Sequence, residues 1–186
     1  GPQVVDDLRV TRHIIKEYGK YAMADEDAHM VSAIAPGVMA QTGMESSEIV
    51  KGIASEVKPD FVIAIDALAA RNTKRLNRTI QIADTGINPG SGVGNHREGI
   101  TEETLGIPVI AIGVPTVVSA ATIVRDTMES MMTDWEPEEK NKTFDSLIAP
   151  HLHGMFVTPK DIDDTIQRLS RIISEALNEL FVKKEA

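Results

Sequence analysis

Two unbroken apolar runs set the terms for this chain. Phe61-Val62-Ile63-Ala64-Ile65 leads straight into Asp66, and Pro108 to Pro115 reads Pro-Val-Ile-Ala-Ile-Gly-Val-Pro. Apolar runs without polar alternation predict strands buried on both faces, the pattern of a parallel sheet. Helical periodicity recurs around them. Gln3 to Tyr18 carries Val4, Leu8, Ile14 and Ile15, and Ile49 to Val57 carries a second apolar face. Ala120 to Met131 forms a third, and Ile162, Ile166, Leu169, Ile172, Ile173, Leu177 and Leu180 make one long stripe. Strands alternating with helices predict an α/β sandwich with a mainly parallel sheet. The chain opens on a helix, so the sheet is expected to lack its first strand.

Shorter signals fill in the order. Val31 to Ala35 reads as a strand ended by Pro36-Gly37, and Thr79 to Ala83 alternates like one, with Ile80 and Ile82 on one face. Thr42-Gly43-Met44-Glu45 matches a capping box. Thr158-Pro159-Lys160-Asp161 reads as a helix start, with a cap, a proline in the first turn and an acid at the third position. The charged, proline-containing stretch over 133–147 is expected to be a mobile surface segment.

Asp66 is the strongest candidate for chemistry. It stands where the first apolar run stops, and ligands collect at the carboxyl ends of strands in open α/β sheets. The small residues Ala67, Ala69 and Ala70 after it leave room for a substrate. The same aspartate also suits a turn or a helix cap. Residues 84–99 form a long irregular stretch with five glycines, a type of loop that is usually functional or disordered. Its Gly90-Ser91-Gly92-Val93-Gly94 segment meets neither phosphate-binding glycine pattern. Asp84, Asn95 and His96 belong to this stretch as cleft-lining, substrate-binding candidates; an exposed loop histidine is the plainer reading of His96. His151 and His153 offer only two ligands, so no metal site and no cofactor is expected.

Bulk properties narrow the partners. A formal net charge of −9 disfavours direct nucleic-acid or anionic-membrane binding. No apolar run approaches the roughly 20 residues of a membrane span. The chain holds no cysteine, so thiol and disulfide chemistry are excluded. At 186 residues, one domain with a full core is expected.

Several segments together resemble the germination protease of spore-forming bacteria. They are Ala35 to Met39, Pro59 to Arg71 with its Ile-Asp-Ala-Leu-Ala-Ala, Gly86 to Asn95, Leu105 to Val118, and Val157 to Asp161. The resemblance implies a three-layer fold with a twisted sheet between helices, similar to hydrogenase-maturation endopeptidases. It implies an atypical aspartic-type endopeptidase that degrades small acid-soluble spore proteins in the cytoplasm of the spore core. It also implies a zymogen and a homotetramer.

Two aspartates are essential in the family. One matches Asp66; the other lies in an Asp-Ala-Leu-Gly-Pro segment whose end matches Gly1-Pro2, three residues ahead of Gly1. Residues 1–186 are therefore expected to be a single α/β peptidase domain, the C-terminal part of a longer protein. Alone, the chain is expected to be inactive. Two rivals are a non-catalytic spore peptide-binding or scaffold protein on the same fold, and a metal-dependent maturation-type endopeptidase using Asp66 and His96. Ser119 departs from the family's frequent acid after Pro-Thr-Val-Val, and the segment between Met132 and Leu147 is shorter than in relatives.

Overall fold

The computed structural model describes residues 1–23, 28–90, 97–132 and 134–182. Where one domain over 1–186 is the expectation, contacts group the chain into two compact units. The first comprises residues 1–37 and 163–186, the second residues 38–162.

The first unit is helical. The single helix expected over Gln3 to Tyr18 is instead two, α1 (Pro2–Asp6) and α2 (Arg12–Tyr18). Tertiary hydrogen bonds explain the break. Asn178, on α8 (Ile162–Phe181), accepts from the Arg9 N–H at 2.8 Å and donates to the Asp7 carbonyl at 3.1 Å. The buried Thr11 hydroxyl donates to the His29 carbonyl at 2.6 Å and accepts from the Val31 N–H at 2.8 Å. These bonds satisfy backbone groups that a continuous helix satisfies internally. Val31 to Ala35 is irregular chain, not the expected strand. On α8 the buried side is Thr165, Ser170, Ile173 and Ser174, while Ile172 and Leu180 of the expected stripe are exposed.

Among the described residues the second unit holds a four-stranded mixed sheet. Its strands are β1 (Val62–Ala70), β2 (Gln81–Ala83), β3 (Val109–Ser119) and β4 (Phe156–Val157). β1 runs parallel to β3, whereas β2 and β4 pair antiparallel along the other edge of β3. The expected mainly parallel sheet is thus corrected to one parallel and two antiparallel pairings. The connection from β1 to β2 is too short for the crossover that parallel strands need, so β2 turns back on the far side of β3.

β3 is the strand buried on both faces; β1, with one neighbour among the described strands, is mostly half-buried. Both outlast their expected ends. β1 continues four residues past Asp66, each paired to β3, and β3 continues through Pro115. The register shifts there: Leu68 lies opposite Pro115 and Ala69 opposite Val117, leaving Thr116 as an extra residue. A proline donates no ladder hydrogen bond and is tolerated in a sheet at such a bulge. The loosened backbone finds side partners. The Pro115 carbonyl accepts from the Asn77 N–H at 2.8 Å, and the Thr116 carbonyl accepts from the Thr158 hydroxyl at 2.9 Å. That bond occupies the expected cap of α8, which starts at Ile162 instead.

Helices clothe one sheet face. Val50 of α4 (Ser46–Val57) and Leu105 of α5 (Glu102–Leu105) pack on Ala64, Val109 and Ile100. The capping residue of α4 is Glu45, not Thr42: its N–H donates to Glu48 Oε2 at 2.8 Å, and Thr42 ends the short α3 (Met39–Thr42). On the opposite face Ile82 is 70% exposed, although Ile112 beside it is buried.

α6 (Ala120–Met131) packs with α7 (Pro137–Leu147) around Ala121, Phe144 and Ile148. Thus most of the stretch expected to be a mobile segment over 133–147 is a helix anchored by Phe144, 1% exposed, with the Arg125 guanidinium 5.3 Å from its ring. Ser119 caps α6, its Oγ accepting from the Thr122 N–H at 3.0 Å. That accounts for a small polar residue at this position, since serine and aspartate cap helices about equally well.

Candidate active site

The strands bring Asp66 to a place the sequence does not reveal. It lies in the middle of β1, not at its tip, because Ala67 to Ala70 extend the ladder. Alternation sends Asp66 and Leu68 to the same face as Ala111 and Gly113 of β3 and Gln81 and Ala83 of β2. The register aligns Asp66, Gly113 and Gln81 in one row across three strands. Strand spacing sets the outer two backbones about 10 Å apart.

A cavity of about 210 Å³ opens over this row. Its polar lining is Asp66, Gln81 and Asn88; its apolar walls include Leu68, Ile87 and Ala111. Gly113 leaves the middle of the row bare, and the Leu68 side chain leans over it so closely that a Cβ on Gly113 collides with Leu68 Cδ1. The third wall is the segment entering at Gly86. Its φ is +75°, and a Cβ there runs into the Ile100 carbonyl. Glycine alone meets both demands. Ile87 and Ile100 then exchange two backbone hydrogen bonds, 3.0 and 2.8 Å, which fix the wall.

Asp66 Oδ1 accepts from the Ala67 N–H at 2.8 Å. Its other oxygen, and the side-chain amides of Gln81 and Asn88, take no partner among the described residues. The arrangement offers one carboxylate as base or acid and two amides able to donate to a carbonyl. Asp66 is the cavity's only acid among the described residues.

Of the other expected site residues, Asp84 is exposed one residue beyond β2 and lines no part of the cavity. Asn95 and His96 lie outside the described residues. Among the described residues no cluster of three metal-ligating side chains occurs, and no helix is long and apolar enough to cross a membrane. Gln81 and Asn88 are new. The signal for Gln81 was a polar residue between Ile80 and Ile82, whose alternation turns it to the face opposite the isoleucines.

Comparison with known proteins gives one answer. The family model described as germination protease matches residues 1–140. A germination protease of Clostridium perfringens is 46% identical over 195 aligned residues, covering 96% of this chain and 59% of the relative. Those of Caldanaerobacter subterraneus and Halalkalibacterium halodurans are 46% and 40% identical, each covering 96% of this chain and 60% of the relative. The Halalkalibacterium alignment, at 230 positions, is longer than the 186-residue chain, so that relative carries residues this one lacks. The chain spans about three fifths of the length of the relatives it matches. It belongs to the germination protease family.

Proposed function

We propose that Asp66 is one of two catalytic carboxyl groups of an endopeptidase that hydrolyses small acid-soluble spore proteins during germination. The observation that carries this reading is the row Asp66, Gly113, Gln81: a carboxylate oxygen without a partner among the described residues, beside a gap kept open by a glycine, inside a cavity. The family membership supports peptide hydrolysis. The mechanism is of atypical aspartic type. Two close carboxyls cannot both ionise cheaply, so the pair retains a proton. The ionised member takes a proton from water as it attacks, and the protonated member polarises the scissile carbonyl. The amides of Gln81 and Asn88 are placed to orient the peptide.

In this reading the second carboxyl comes from outside the described residues, and the 186-residue chain alone is inactive. The complete protein is a self-maturing zymogen and a homotetramer of the spore core. Its whole sheet is the centre of a three-layer sandwich like that of hydrogenase-maturation endopeptidases; α4 and α5 packed on one face support one outer layer. The test is cleavage of a small acid-soluble spore protein by the complete gene product and by its Asp66→Asn variant. Unchanged cleavage by the variant overturns the role of Asp66. Cleavage by the 186-residue chain overturns the two-carboxyl mechanism.

A further inference from the structure

The turn after β1 carries a charge pattern that the proposed chemistry does not use. Arg71, Lys74, Arg75 and Arg78 fall within eight residues, and no acid occurs from Arg71 to Ala83. The whole chain has 28 acidic against 19 basic residues, these four included, so four cations without an intervening acid stand out. All four are exposed, and none has an ion-pair partner among the described residues.

The turn is also tightly built. Successive local hydrogen bonds coil it: Arg75 N–H to the Asn72 side chain, Leu76 N–H to the Thr73 carbonyl, and Arg78 N–H to the Arg75 carbonyl. Two ties fix it to the second unit. The Thr73 N–H and hydroxyl both donate to Asp126 Oδ2 on α6, at 2.6 and 2.7 Å, and the Asn77 N–H donates to Pro115 at the bulge. Asn77 adopts a left-handed φ of 56° to close the coil. Crowding four like charges on a compact turn is unfavourable by itself, and holding them there concentrates positive potential. Ordering costs are already met, which favours binding.

We propose that the 71–78 turn is a docking site for a carboxylate-rich stretch of polypeptide, engaged apart from the cavity at Asp66. Arg71 lies five residues along the chain from Asp66, roughly 17 Å in extended strand. One extended polypeptide can therefore reach both places. The choice of polypeptide over nucleic acid rests on the peptidase reading above. Charge adds to it, because four cations in a chain of net charge −9 form a small local site, not the broad basic face that a phosphate backbone needs.

The test is equilibrium binding, which requires no catalysis. A fluorescent glutamate-rich peptide and its glutamine counterpart are titrated with the 186-residue chain. The glutamate peptide binds at least about tenfold more tightly, and the difference shrinks as salt rises from about 50 to 300 mM. Combining Arg71→Gln, Lys74→Gln, Arg75→Gln and Arg78→Gln abolishes the preference, whereas changing the three arginines to lysine keeps most of it. Thermal melts confirm folding; if the fourfold variant unfolds, Lys74→Gln with Arg78→Gln must still weaken the preference. Equal binding of the two peptides overturns the proposal. So does an unaltered preference after charge removal, or tighter binding of a duplex oligonucleotide than of the glutamate peptide. In the complete protein, loss of catalysis on Asp66→Asn with docking intact separates this site from the cavity.

Discussion

β1 and β3 lie side by side over nine paired positions, yet the two strands differ in almost everything else. β3 is buried along most of its length, has neighbours on both edges, and is almost wholly apolar. β1 has one neighbour among the described strands, is mostly half-buried, and carries the only charged residue of the pair, Asp66. The difference separates two duties. The central strand supplies burial and fixes register; the outer strand holds a half-buried acid that a fully buried position would penalise heavily. The chemistry proposed for Asp66 therefore sits one strand away from the core and borrows its rigidity.

Substitutions can break or sharpen that contrast. The largest effect is expected from Asp66→Asn in the complete protein: peptide cleavage falls by roughly 10³-fold or more, while the melting midpoint hardly changes. Val118→Ala on β3 removes a side chain that is 1% exposed and should cost about 2 kcal/mol in denaturant titration. Ala67→Ser, at an exposed position on β1, should cost less than about 0.5 kcal/mol in the same titration. If the two strands proved equally sensitive, the division of duties would be wrong. Gly113→Ala tests the contact between them. Displacing Leu68 is expected to cost about 1–2 kcal/mol and to reduce cleavage, and Leu68→Ala in the same chain should restore the fit. Smallest of the functional effects, Gln81→Ala should lower kcat/KM about tenfold, or about 1.4 kcal/mol, with stability unchanged.

The core of this fold was legible because its signals are local. The runs at Phe61 to Ile65 and Pro108 to Pro115 announce strands, and the periodicity from Ala120 to Met131 announces a helix. What escaped depends on partners distant in sequence. Alanines have little intrinsic strand preference, so Ala67 to Ala70 read as space beside a strand tip; pairing with β3 makes them strand. Pro115 reads as a stop, and only the bulge reveals it as tolerated. Asn178 breaks the first helix from 169 residues away. The site followed the same rule. Asp66 was visible beside an apolar run, whereas Gln81 gains meaning only through a register that places it across Gly113.

The extra residue at Thr116 has a lasting consequence for how the sequence can drift. Before it, odd-numbered positions of β3 share the cavity side of the sheet; after it, Val118 takes that side, opposite Ala70. A chain without Thr116 would run this ladder unbroken, with Val117 and Val118 still opposite Ala69 and Ala70. The far end of the strand can therefore survive the loss of that single residue, and what goes with it is the local bend.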